Sequence, residues 1–161
     1  MDLSAIIIGL AILGLFLFPV ILISRSGKKK MKRLSDEIMT EASKNELTIS
    51  ENDSWNESAI GMDVKNDKII FIDESHSEKV VRLINLKDVK SFSTSPDLTK
   101  GNSRNTDYEK EPRLSLNFIF KDPSKSETNI TFYIAGFGKL TKTEQHLFEK
   151  WSGIIGKRFG L

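Results

Sequence analysis

Cysteine is absent from this 161-residue chain. That excludes disulfide staples, thiol nucleophiles, iron–sulfur clusters and cysteine-ligated zinc. It fits a reducing compartment without proving one, since many exported proteins also lack the residue. Histidine is scarce, with His76 and His146 the two in the sequence. None of the spacings G-x-S-x-G, H-E-x-x-H or G-x-G-x-x-G occurs, so no nucleophile elbow, zinc-protease helix or dinucleotide fingerprint is present. A general basic excess is missing as well. Six of the 24 Lys and Arg residues (Arg25, Lys28, Lys29, Lys30, Lys32 and Arg33) stand together with no acid between them. From residue 34 onward acids outnumber bases by roughly three, so the body of the chain lacks the basic face of a nucleic-acid binder.

Residues 3–23 are devoid of charge and consist mostly of Leu, Ile, Phe and Val, with Ser4 at the edge and Pro19 near the end. As a helix this run would span about 31 Å at 1.5 Å per residue, close to the thickness of a bilayer core. A cleaved signal peptide fits less well, because the chain begins Met1-Asp2 and the run ends Val20-Ile21-Leu22-Ile23-Ser24-Arg25, without a small-x-small site. The run is therefore predicted to be a transmembrane anchor over residues 1–24. The basic cluster on its C-terminal side then predicts a single-pass protein of the cell membrane, N-terminus outside and globular part cytoplasmic. The same six residues have a second reading, attraction to anionic lipid headgroups. Ala5 and Gly9 form a small-xxx-small pair that would suit helix dimerisation.

Residues 25–45 are read as a basic juxtamembrane segment with a short amphipathic helix. Met31, Leu34, Ile38 and Ala42 fall at three- and four-residue intervals, one narrow stripe. Packing on the domain and pairing with a second copy are both compatible with it. From residue 46 the period changes to alternation, and residues 46–161 are predicted to be one globular domain. Strands are expected at 46–50, 58–64, 68–73, 79–85, 89–94, 113–120 and 129–135. The sixth is the clearest, with Leu114, Leu116, Phe118 and Phe120 on one face. Lys65-Asn66-Asp67 and Asp122-Pro123-Ser124 are turn signals. Residues 95–112 read as a long polar loop. The last element is a helix opened by the capping box Thr141/Glu144. Its stripe of Leu147, Phe148, Trp151, Ile154, Ile155 and Phe159 is expected to cap a strongly bent sheet. Trp55 is expected in the core rather than on the surface.

Ile84-Asn85-Leu86-Lys87-Asp88-Val89-Lys90-Ser91-Phe92, and the pair Ser58-Ala59-Ile60-Gly61-Met62-Asp63 with Ile69-Ile70-Phe71-Ile72, are similar to the turn and early hairpin of bacterial pleckstrin-homology-like domains. The chain as a whole resembles uncharacterised bacterial proteins with one membrane anchor and such a domain. The resemblance covers roughly residues 46–159. It implies an α+β fold with a seven-stranded, strongly bent antiparallel sheet or barrel capped by the C-terminal helix, and by itself no function.

Candidate chemistry is sparse. His76 lies in a polar turn with Asp73, Glu74 and Glu78, which is too few nitrogen ligands for a transition-metal site. Gly136-Phe137-Gly138-Lys139 lacks the spacing of a phosphate loop and reads as a joint. Glu109 and Glu111 fall in the polar loop. Asn52, Asn56 and Asn129 stand in chance glycosylation sequons. No catalytic, cofactor-binding or metal-ligating residue is assigned, and no cofactor is expected. The expected function is that of a membrane-tethered, non-enzymatic binding or scaffolding module. The alternatives are an anionic-lipid sensor at the inner membrane face and, further off, an accessory domain of an enzyme. The expected partner is the lipid bilayer. Nucleic acid is excluded, a protein partner is not identified, and oligomeric state stays open.

Overall fold

The computed structural model describes residues 27, 29–75, 77–95, 113–136 and 138–161. Helix α1 (residues 29–44) comes first. The strands follow: β1 Glu51–Trp55, β2 Ser58–Asp63, β3 Lys68–Asp73, β4 Val80–Asn85, β5 Val89–Ser95, β6 Arg113–Phe120 and β7 Thr128–Ile134. Helix α2, Lys142–Gly156, ends in a 3-10 turn, Lys157–Phe159.

The seven strands do not form one bent sheet. β1-β2-β3-β4 make one antiparallel sheet and β5-β6-β7 a second, which corrects the expectation of a single seven-stranded sheet or barrel. The break lies at Leu86–Asp88, a 3-10 turn between β4 and β5, where the Asn85 side chain accepts from the Lys87 N–H. Leu86 is buried there. The chain is thereby redirected, and β5 pairs with β6 instead of extending the first ladder. The pleckstrin-homology-like fold class rested on a single capped sheet and is not carried forward. What stands is an α+β arrangement.

Register assigns the two faces of the first sheet. Ile60 and Met62 of β2 pair with Phe71 and Ile69 of β3. All four belong to the main core, together with Ile84, Leu116, Phe118, Ile130 and Phe132 from both sheets and Leu147, Trp151 and Ile155 from α2. On the other face Ala59 pairs with Ile72 and Gly61 with Ile70. Ala59, Ile70 and Ile72 form a second core with Leu34, Ile38 and Ala42 of α1. Every residue of β2 is accordingly buried. Gly61 permits the close seating of α1, since a Cβ there would lie 2.8 Å from Ile38 Cγ2. Ion pairs frame the seat: Lys30 with Glu57, Arg33 with Glu74 and Lys79 with Glu37.

The strand expected at 46–50 is not formed. Leu47 N–H donates to Ala42 O at 2.9 Å, and Glu46 sits at φ 55°, so these residues close the C-terminus of α1. The first strand is the polar run Glu51–Trp55, which hydrogen-bonds in register with β2 through the turn at Asn56 (φ 47°). The apolar run 3–23, with Ala5 and Gly9, lies outside the described residues. Among the described residues no helix is long and apolar enough to cross a membrane. The expected anchor therefore has no counterpart in the described structure, and the cell-membrane, N-outside localisation is corrected accordingly.

Candidate functional site

A cleft of about 410 Å³ opens between the sheets at the end where β1 turns into β2. That volume lies in the range of roughly 300–1,000 Å³ typical of small-ligand sites. Its floor is aromatic. Trp55, at the end of β1, stacks on Phe132 of β7 with centroids 4.4 Å apart and planes 10° apart, and it lies 6.1 Å from Phe71 of β3. Tyr133 and Ile134 continue the wall along β7.

The rim is rigid because its polar groups bind one another. Thr141 and Glu144 form the capping box of α2, and Glu144 Oε1 also accepts from Asn56 Nδ2 at 2.6 Å. The β1–β2 turn is thus clamped to the start of α2. Glu57 O accepts from the Glu74 N–H at 2.8 Å, which joins the β1–β2 and β3–β4 connections. The Glu57 carboxylate is paired with Lys30. Asp73 Oδ1 accepts from Ser75 N at 2.9 Å and from Ser58 Oγ at 3.4 Å. Its Oδ2 has no hydrogen-bond donor among the described residues.

Two arginines face this cleft. Arg82 stands opposite Phe71 in the β3–β4 register, on the inward side of β4. Its guanidinium lies 5.9 Å from the Phe71 ring centroid, and Nη1 donates to Asn129 O on β7 at 2.8 Å. The side chain therefore bridges the two sheets while its charge meets a carbonyl and a ring face, not a carboxylate. Arg113, opening β6, also lines the cleft, and among the described residues it has no ion-pair or hydrogen-bond partner. An inward-facing arginine between Val80 and Ile84 breaks the apolar alternation of β4.

The residues singled out from sequence fall elsewhere. Of the basic cluster, Lys30 and Arg33 are spent on Glu57 and Glu74 of the folded body, with Glu37 a second partner of Arg33. Pairing with Glu74 raises the Arg33 pKa and lowers that of Glu74. Lys29 and Lys32 are exposed, while Arg25 and Lys28 lie outside the described residues. Leu147, Trp151 and Ile155 are buried in the main core, with Phe148 and Ile154 half-buried against it. Trp55 is buried too, as the cleft floor. His146 is exposed on α2, and His76 is outside the described residues. Gly136 and Gly138 both take positive φ after β7, where Gly138 O accepts from the Tyr133 hydroxyl at 3.2 Å.

Among the described residues no group of three or more His, Cys, Asp or Glu side chains is placed to hold a metal ion. The cleft offers charge, hydrogen bonds and aromatic surface in fixed positions, which is the chemistry of recognition. No family model, no curated protein and no solved structure matches this chain, so its function is read from the cleft itself.

Proposed function

We propose that the protein is a non-enzymatic binding or scaffolding module whose ligand seat is the cleft between its two sheets. The observation that carries this is Arg82: a charged side chain turned inward, held by a ring face and a carbonyl, and not neutralised by any carboxylate among the described residues. Arg82 is partly exposed at the cleft, so its charge is accessible there. A group that arrives from outside can pair with it without breaking an internal ion pair. The self-satisfied rim supports the same reading, because the Asn56–Glu144 bond fixes the β1–β2 turn against the start of α2 before any ligand enters, which lowers the cost of binding.

A set of photoreactive fragments tests this on the full chain. Covalent labels should concentrate on residues 55–58, 71–75 and 129–134, and the unlabelled parent compounds should be recovered chemically unchanged. Labels scattered over the surface without preference for these segments would overturn the proposal. Turnover of a fragment would overturn its non-enzymatic half.

A further inference from the structure

We infer that the cleft takes a carboxylate borne on an aromatic or branched apolar body. This rests on the binding-module proposal and specifies the ligand. The floor of Trp55, Phe71 and Phe132 supplies the apolar contact. The uncommitted charge supplies the polar one. Of the three acids lining the cleft, Glu144 uses both oxygens internally, with Asn56 and with the Thr141 N–H. Glu57 is paired with Lys30. Asp73 keeps one oxygen free of donors among the described residues. Against it stand Arg82, which spends one N–H on a neutral carbonyl, and Arg113, which has no partner among the described residues.

Among the described residues neither guanidinium is met by a carboxylate, while Asp73 and Glu144 keep their own charges, so an arriving carboxylate pairs with the arginines and must stand clear of the acids. A planar carboxylate matches the guanidinium fork, and arginine held in place by Phe71 and Asn129 is already oriented for it. A dianionic phosphate would set its second charge against Asp73 in the same small space. A cation would meet both arginines. The favoured chemistry is shared by small arylalkyl carboxylic acids and by the free C-terminal residue of a peptide ending in an aromatic or branched side chain.

Calorimetric titration of the full chain separates these sources and tests the charge. The probes are 3-phenylpropionate, a Gly-Gly-Phe peptide with a free C-terminus, the same peptide amidated, phenyl phosphate and phenethylamine. The carboxylates should bind, one source more tightly than the other, and amidation should weaken the peptide roughly tenfold to a hundredfold, the value of one or two charged hydrogen bonds. Arg113→Gln, which breaks no side-chain contact among the described residues, should cost a similar factor for the acids and nothing for the amide. Arg82→Gln, which keeps a donor for Asn129 O, should do the same. Equal affinity of acid and amide, tighter binding of phenyl phosphate or phenethylamine, or indifference to both variants would overturn the carboxylate assignment. If none of the five probes binds while photoreactive fragments still label the cleft, the assignment falls and the binding proposal stands. If the fragments also miss the cleft, both fall.

Discussion

Trp151 donates its indole N–H to Asp53 Oδ2 at 2.9 Å, across the interval between α2 and β1. Lys150 Nζ reaches the same oxygen at 2.7 Å. The pair explains why a strand as polar as Glu51–Trp55 forms at all: its inward aspartate is met by a buried donor from the last helix. The Asp53 carboxylate stabilises the charged form of Lys150 against partial burial, and the Lys150 pKa is raised by that contact.

Trp151 is fully buried, so Trp151→Ala should destabilise by about 3–5 kcal/mol, out of a total of roughly 5–15 kcal/mol for a domain of ordinary stability. Trp151→Phe keeps most of the packing and loses the bond to Asp53, so its cost should be smaller, near 1–3 kcal/mol. Urea unfolding followed by circular dichroism measures both. Equal losses for the two variants would show that the hydrogen bond to Asp53 dominates over the packing.

Gly61 and Ile38 should behave as one site. Gly61→Ala places a methyl 2.8 Å from Ile38 Cγ2, so it should destabilise by about 1–3 kcal/mol through overpacking. In an Ile38→Ala background, which lacks that γ carbon, the same change should cost less. The two single changes together would otherwise be additive, and a double-mutant cycle reads the difference. Strict additivity would mean that α1 does not rest on Gly61.

The apolar seat of α1 should outweigh its ion pairs. Leu34 and Ile38 are fully buried, and either one changed to Ala should cost about 2–5 kcal/mol. Arg33 is about half exposed where it meets Glu37 and Glu74, so Arg33→Gln should cost far less than either apolar change, and less still at high salt. Thermal unfolding at low and high ionic strength distinguishes the two. A larger loss for Arg33→Gln than for Leu34→Ala would place the anchorage of α1 in its charges.

Asp63 gives the fold an acid-sensitive element. Its carboxylate is buried and accepts from Asn66 Nδ2, Asn66 N and Thr48 N. These bonds, led by the Asn66 side chain, hold its pKa down at about 2. A carboxylate lowered on folding adds stability above its unfolded value of roughly 3.9, and that stability is lost as pH falls through the folded value. Between about pH 4 and pH 2 the protein should therefore weaken. Glu74, Glu41 and Asp122 are lowered as well and act in the same direction. The share of Asp63 is the part of the slope that Asp63→Asn removes. An unchanged slope in that variant would assign the acid response to the other carboxylates.

The C-terminal half was more legible in the sequence than the N-terminal half, for reasons visible in particular residues. Thr141 and Glu144 cap α2 within four residues of each other, and Leu114, Leu116 and Phe118 alternate inside one strand, so local pattern and final contact coincide. β1 has no such pattern. Its inward Asp53 is justified by Trp151 and Lys150, almost a hundred positions away, and Glu46 ends α1 in a left-handed conformation without the glycine that usually signals it. The division into two sheets was hidden because Leu86-Lys87-Asp88 reads as any tight turn, whereas the ladder is broken by the burial of Leu86. Of the cleft, the aromatic floor was half legible through Trp55. Arg82 and Arg113 were not, because which strand face lines a gap between sheets depends on how the sheets meet.

Lys30, in the first turn of α1, reaches Glu57 on the rim of the cleft, while α1 itself is pinned to the first sheet. The first turn of α1 thus stands beside the mouth of the cleft. Any displacement of α1 would therefore shift the cleft mouth with it. The packing of one helix and the shape of one opening are mechanically a single variable.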